Sequence, residues 1–421
     1  MSRARRIAVL SVDAKLGNEV RGATRYTYLA SLLAEHGFEV DFITASFQHW
    51  EKRQRNLASL DYAAHPFRVR FIEEPSYPAN MCPQRIWAHH VMARRVRAYF
   101  DEHPDYDLIY CQIPPNDVAA AAARSAHRHK IPFVIDVNDL WPEAFRMALN
   151  VPIISDLLFA PFARQARRAF ALADAVVGTS ESYAARAFRD RAEDIPKLVL
   201  YVGNDLATFD AEVKAHAASI RESSAQGAPS MFTSPAHEVF RVAYAGNISP
   251  LYDLATLVRA VARAARENPA IELVVLGDGP DRAAIESVAK QTACPARFLG
   301  YLPYGEMAAH LACSNVVVNS LVAGAPQSVP TKIGDYLAAG VPMINSSMDK
   351  EFRSKVCRDG FGINVQPGDV AGLADVLVAL SHDRARCTKL GHAARSVAER
   401  EFDRAQSYLR AVELIDRLSA R

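Results

Sequence analysis

Residues 240–279 read FRVAYAGNISPLYDLATLVRAVARAARENPAIELVVLGDG. An apolar run ends at Gly246, a helix-periodic stretch follows, and a second apolar run ends in Gly277-Asp278-Gly279. Short buried runs separated by an amphipathic helix are the pattern of a parallel βαβ unit. The alternation continues through RAAIESVAKQ, ARFLGYL, YGEMAAHLACS, NVVVNSL and PMINSS. It also runs upstream, where RIAVLSV, FEVDFITA, DLIYCQI, PFVIDV, AVVGTS and KLVLYV alternate with helical segments. Between the halves, DAEVKAHAASIRESSAQGAPSMFTSPAHE (210–238) is polar and reads as a short helix and a linker. The fold class expected is α/β: two Rossmann-like, doubly wound domains facing across a cleft. Such sheets bind ligands at the carboxyl ends of their strands.

The totals agree. A chain of 421 residues with half its residues hydrophobic supports two or three ordinary domains. A net charge of +2 gives no global reason to expect nucleic acid. The six cysteines form no C-x-x-C pair and suit a reducing compartment. The apolar run IAVLSV before Asp13 is too short for a signal segment or a membrane span, so a cytoplasmic location is expected.

Gly277 and Gly279 mark a tight strand-to-helix turn without the full G-x-G-x-x-G spacing, so they do not support NAD. Gly246 and Asn247 end a strand in the same way. In both places a plain turn is favoured over a ligand contact. GAPQSVPTKIGDYLAAGVP (324–342) reads as a loop and a helix that stops at Gly340. Ser328 or Thr331 is the expected cap, and Lys332 and Asp335 fall in the first two turns. A lysine at a helix start suits an anion in front of it, and Asp335 suits a pair of hydroxyls. A solvated i, i+3 ion pair accounts for the same spacing equally well.

From VAYAGNISPLYDLATLVRA to the 324–342 stretch, about 150 residues, the chain resembles the C-terminal domain of retaining GT-B glycosyltransferases, family 4. LASLLAEHGFEV, ADAVVGTSESY and VLYVGNDLATF resemble the first domain more loosely. VIDVNDLWPE and VPTKIGDYLAAGVP resemble the subgroup that assembles capsule, O-antigen or exopolysaccharide units. The resemblance implies an acceptor domain at 1–205, a linker at 206–235 and a nucleotide-sugar donor domain at 236–400. It also implies a last helix, 401–421, that crosses back to the first domain.

Transferred position by position, the resemblance gives Asp335 the donor's ribose and gives Gln327, with backbone around Ser328 and Val329, the sugar. Tyr301 and Leu302 would flank the base, and Gly246 would lie near the diphosphate. The family's usual arginine and lysine after that glycine are replaced by Asn247 and Tyr252, so Lys332 becomes the candidate cation. Arg21 or Arg25, beside Gly22, is a candidate to complete the site. Asn138, Asp139 and Trp141 lie in VIDVNDLWPE, where Asp139 is either a contact to the reacting sugar or a helix cap. Asp136 reads as a buried strand-end carboxylate.

PQRIWAHHVMARRVRAYF interleaves Trp87 with Arg85, Arg94 and Arg95. It reads either as an amphipathic helix packed on the sheet or as one lying on an anionic membrane. The resemblance implies transfer of a hexose from a UDP-, GDP- or dTDP-sugar to a glycan or polyprenyl-diphosphate-linked acceptor, with retention. No cofactor and no metal are expected, and peripheral attachment to the inner membrane face is. A nucleotide-sugar epimerase and a non-catalytic binding subunit are the competing expectations.

Overall fold

The computed structural model describes residues 3–19, 23–141, 143, 154–189, 194–225, 239–325 and 329–420. The chain divides into two compact units, Met1–Tyr201 with Tyr408–Arg421, and Val202–Ser407.

In the first unit the chain runs β1 (Arg6–Leu10), α1 (Arg25–Glu35), β2 (Glu39–Ala45), a small hairpin of β3 (Phe47–Gln48) and β4 (Arg53–Gln54), and β5 (Arg68–Ile72). It continues with α2 (Pro83–Glu102), β6 (Leu108–Ile113), α3 (Asn116–His129), β7 (Phe133–Val137) and α4 (Ile154–Ala171). β8 (Ala175–Gly178), α5 (Glu181–Ala185) and β9 (Lys197–Val199) complete the sheet. Seven parallel strands lie in the order β5-β2-β1-β6-β7-β8-β9.

β1 shows why the sheet is covered on both faces. Ile7 and Val9 join a core with Leu29 and Leu33 of α1, while Ala8 and Leu10 join another with Met92 of α2 and Ala119 of α3. Successive strand side chains point to opposite faces, so an uninterrupted apolar run must be buried twice.

The second unit opens with α6 (Leu206–Ala225), then β10 (Phe240–Ala245), α7 (Leu254–Glu267), β11 (Ile271–Leu276), α8 (Arg282–Gln291) and β12 (Ala296–Gly300). α9 (Tyr304–Ala312), β13 (Val316–Asn319), α10 (Ile333–Ala338), β14 (Met343–Asn345), α11 (Lys350–Asp359) and β15 (Gly362–Asn364) follow. α12 (Val370–His382), α13 (Arg384–Val397) and α14 (Arg404–Ser407) end it. Its six parallel strands lie in the order β12-β11-β10-β13-β14-β15. In α7, Leu254, Leu257, Val258 and Val261 form one buried stripe, and Asp253 caps the start by accepting from Thr256 N–H. The last helix, α15 (Leu409–Ser419), packs in the first unit, where Val412, Leu414, Ile415 and Leu418 share a core with Ile7 and Val9.

Three sequence expectations need correction. The segment read as a linker from 206 begins with a 20-residue helix, α6, packed against α9. Arg395 forks onto the Asp210 carboxylate at 2.7 Å twice and ties that helix to α13; the polar surface hid an ordinary solvent-facing helix. The remainder, 226–238, lies outside the described residues. β5 was not anticipated, because its arginines break the apolar run. Arg68 and Arg70 instead reach the buried Asp41, which also receives Arg6 and Tyr106. At the start of α10 the cap position is Lys332 itself, with no side-chain cap bond, so Thr331 does not cap. Pro330 moves the start inward, and its carbonyl accepts the Ile333 N–H at 3.1 Å. Ser328 lies outside the described residues.

Candidate functional site

Strand order in the second unit reverses between β10 and β13, and the crevice beside such a reversal is where ligands of open α/β sheets bind. The loops after β10 and β11 meet there. Gly246 has φ +141 and Gly277 φ +130, both in the region that favours glycine. A Cβ on Gly277 would collide with the Gly246 carbonyl, and one on Gly279 with Ile248 O and the Asn247 side chain. The Gly246 N–H donates to Leu276 O at 2.9 Å, and Ile248 N–H to Asp278 O at 2.9 Å. Gly277 and Gly279 therefore act by letting two loops lock together. Gly277→Ala is expected to lower the stability of this unit by about 2–3 kcal/mol through clash and strain. Urea denaturation followed by far-UV dichroism checks it, and an unchanged midpoint would show that the loops part without cost.

Lys332 stands behind Gly246. The residue is partly exposed, yet its ammonium is shut off from water and has no hydrogen-bond partner among the described residues. It lies 3.9 Å from the Tyr252 ring centre, 4.1 Å from Tyr244 and 5.9 Å from Tyr336. The rings are held in place. Tyr244 OH donates to Asn247 O at 2.7 Å, and Tyr336 OH donates to Ala245 O at 3.0 Å while accepting the Ala245 N–H at 2.8 Å. A Cβ on Gly246 would come within 3.1 Å of the ammonium, so a glycine there lets the loop backbone lie close against it.

Burial pushes the Lys332 ammonium well below its ordinary range. An aromatic face contributes about 2 kcal/mol to a desolvated cation, against a desolvation penalty of several kcal/mol. Among the described residues no carboxylate pairs with this cation, so it suits an anionic ligand. Tyr252, read from sequence as the loss of a clamp residue, is the floor beneath this cation.

Asp335, one turn on, receives Tyr304 OH at 2.9 Å and Asn204 Nδ2 at 3.2 Å, both on Oδ1. Burial raises its carboxyl above the usual range, with those two bonds opposing the shift. Asn204 was missed as a site residue. It sits in VGNDL, next to Gly203 at φ +60, and neither polarity nor spacing distinguished it from a turn residue. Tyr301 follows edge strand β12 and is 86% exposed, and Leu302 and Val329 are partly buried. Gln327 and Ser328 lie outside the described residues, as do Arg21 and Gly22.

Arg25 is corrected as a candidate anion ligand. Its guanidinium is buried, forks onto Asp136 at 2.9 and 3.1 Å, and donates to Leu200 O at 2.7 Å. Asp136 also accepts Tyr110 OH at 2.7 Å, so it is the buried strand-end carboxylate expected. Asp139 turns back on its own loop, taking the Leu140 N–H at 2.8 Å on one oxygen and the Trp141 indole N–H at 3.3 Å on the other. Burial raises its carboxyl despite those bonds. Asn138 is partly buried, and its N–H donates to Ile113 O.

On α2, Ala88, His89, Met92, Val96 and Phe100 form the buried face. Arg94 and Arg95 are exposed, and Arg95 pairs with Glu73 at 3.1 Å. Trp87 is 60% exposed. Arg85, read as surface charge, is corrected: its guanidinium lies over the Trp141 ring at 4.8 Å and the Tyr77 ring at 5.9 Å. Among the described residues no group of three or more His, Cys, Asp or Glu side chains is arranged to hold a metal. No described helix is long and apolar enough to cross a membrane.

Residues 21–205 match the family described as Glycosyl transferase 4-like domain, and residues 239–383 match Glycosyl transferases group 1. No curated protein matches the chain. Among solved structures, Anabaena Alr3699/HepE in complex with UDP superposes with TM-score 0.68 at 15% identity, over 98% of this chain and 100% of that one. Sucrose-phosphate synthase from Thermosynechococcus elongatus superposes with TM-score 0.67 at 19% identity, over 99% of each chain. WaaG, a glycosyltransferase involved in lipopolysaccharide biosynthesis, gives 0.61 at 14% identity, over 97% and 99%. These likenesses speak for the fold, and the two family matches, one in each half, for the class. The chain belongs to the GT-B glycosyltransferase superfamily.

Proposed function

We propose that the chain transfers a hexose from a nucleoside diphosphate sugar to a glycan or polyprenyl-diphosphate-linked saccharide, with retention at the anomeric carbon. The observation that carries this reading is the Lys332 ammonium, buried on tyrosine rings beside Gly246 with no carboxylate partner among the described residues. A departing diphosphate needs its growing charge neutralised, and a fixed cation in a dry site does this efficiently. Anabaena Alr3699/HepE, a structural neighbour, has been solved with UDP and with UDP-glucose, which fits a nucleotide sugar as donor. WaaG's role in lipopolysaccharide biosynthesis fits the assembly of surface polysaccharide at the inner membrane face. In this reading Asp335 and Val329 border the donor and Gln327 holds the sugar. The leaving diphosphate oxygen takes the proton of the acceptor hydroxyl, so no separate general base is required.

The test is incubation with UDP-, GDP- and dTDP-hexoses and a polyprenyl-diphosphate saccharide, with the product's anomeric configuration read by NMR. Transfer with the donor's configuration is expected. A product of opposite configuration would remove retention, and a tightly bound nucleotide with no transfer would identify a binding subunit.

Tyr301 gives a milder check. Its exposure means that Tyr301→Ala leaves the fold intact, whereas a lost base-stacking platform costs about 1–3 kcal/mol. About tenfold weaker nucleotide binding by calorimetry is expected, with the melting temperature unchanged. Unaltered affinity would place the base elsewhere.

A further inference from the structure

Read from sequence, Asp335 suits a pair of hydroxyls; in the fold one of its two oxygens is already occupied. Oδ1 receives Tyr304 OH at 2.9 Å and Asn204 Nδ2 at 3.2 Å. Two donors use both lone pairs of that oxygen. Oδ2 receives no hydrogen bond among the described residues, and Asp335 is only partly buried. The occupancy is built into the second unit. Tyr304 opens α9, and the Asn204 side chain hangs from a pinned backbone, whose N–H donates to Phe402 O at 3.0 Å and whose carbonyl accepts the Arg404 N–H at 2.9 Å. Gly334, next to Asp335, lies against the same segment, where a Cβ would come within 3.1 Å of the Gly203 carbonyl carbon.

We propose that Tyr304 and Asn204 are specificity-determining residues: by filling Asp335 Oδ1 they leave a site that holds one ribose hydroxyl of a nucleoside diphosphate and ignores the other. This rests on the donor reading given above.

A carboxylate with both oxygens free takes vicinal hydroxyls as a fork, one to each oxygen. With Oδ1 filled, a single oxygen remains. Its two lone pairs diverge, whereas vicinal hydroxyls stand side by side, so one hydroxyl bonds and its neighbour stays with water. The placement fits a ribose, which lies between base and diphosphate in a nucleotide. Asp335 is one turn beyond Lys332, and its partner Tyr304 follows the exposed Tyr301 by three residues.

The two donors have a second effect. Burial raises the Asp335 carboxyl, while the Tyr304 and Asn204 bonds and the Arg404 charge oppose that rise. The bonds that use up Oδ1 thus help to keep the group ionised, and an ionised Oδ2 only accepts. A hydrogen bond to a charged oxygen is worth about 10- to 100-fold in binding, so loss of the hydroxyl that is read is a large effect and loss of the other is none.

The test is calorimetric titration of the whole protein with UDP and GDP and with the 2′-deoxy and 3′-deoxy forms of each. For the base that binds, one deoxy form should match the ribonucleotide within about twofold, and the other should bind about tenfold or more weakly. Tyr304→Phe keeps the ring and returns one lone pair to Oδ1. In that variant the second hydroxyl gains a partner, so both deoxy forms should bind more weakly than the ribonucleotide. In the parent protein, weakening of both deoxy forms would mean a forked grip and would overturn the proposal. A folded Tyr304→Phe variant that keeps the parent's pattern would overturn it too. Ribonucleotide binding that Lys332→Met abolishes, with neither deoxy form weaker, overturns this inference alone. Failure of every one of these nucleotides to bind overturns it together with the donor reading.

Discussion

Replacing Lys332 with methionine is expected to stabilise the nucleotide-free protein and to abolish its response to nucleotide. Both effects come from one observation, an ammonium buried on three tyrosine rings with no counter-charge among the described residues. Methionine has a similar length, packs on the same rings and needs no hydration. Replacing a buried ion pair by apolar side chains is neutral or gains about 1–4 kcal/mol, and a gain of that order is expected for this unpaired cation. In the complex the sign reverses, because the ammonium then faces a diphosphate. Losing a desolvated charge pair costs about 2–5 kcal/mol, or about 30- to 4,000-fold in affinity.

The pH dependence follows from the same shift. The Lys332 pKa is lower in the folded protein than in the unfolded chain. Between those two values the unfolded chain binds more protons, so stability of the nucleotide-free protein rises with pH in that window. The methionine variant lacks that rise. Urea denaturation at neutral and alkaline pH, paired with calorimetry, checks both. A variant less stable than the parent, or one that still binds nucleotide normally, would sink the explanation.

The second large effect belongs to Arg25. Its guanidinium fork on Asp136 is fully enclosed, and Tyr110, Leu200 O and Tyr408 OH complete the network. Arg25→Ala leaves the Asp136 carboxylate buried without its cation. The expected loss is about 3–5 kcal/mol. Because Tyr408 opens the C-terminal segment that packs on this sheet, the docking of α15 should loosen along with it. A double variant, Arg25→Ala with Asp136→Ala, should lose less than the sum of the two single losses, since neither charge is then stranded. Nucleotide affinity should stay within about twofold. A fall in affinity without a fall in stability would restore Arg25 as a diphosphate ligand.

Much of this architecture is legible in the sequence, because parallel strands buried on both faces must be written as short apolar runs. RIAVL, LIYCQI, FRVAYA and IELVVL each announce a strand in that way. β5 is silent for the converse reason. Arg68 and Arg70 look solvated until Asp41, far away in sequence, is seen to receive them.

The site divides along the same line. Lys332 stands out by its position, since a lysine is out of place at a helix start. The tyrosine floor does not, because Tyr244, Tyr252 and Tyr336 come from three separate segments that only the fold assembles. Asn204 is hidden for that reason too. Single polar residues at strand ends carry no periodic signal, and their burial is a property of the folded chain alone.

The most direct measurement is calorimetric titration of the protein, and of Lys332→Met, with UDP, GDP and dTDP and with the matching monophosphates. One diphosphate should bind at least tenfold more tightly than its monophosphate, and the methionine variant should erase that difference. Equal binding of mono- and diphosphate, or a preference that survives without the lysine, would contradict the claim that this buried ammonium holds a nucleotide's diphosphate.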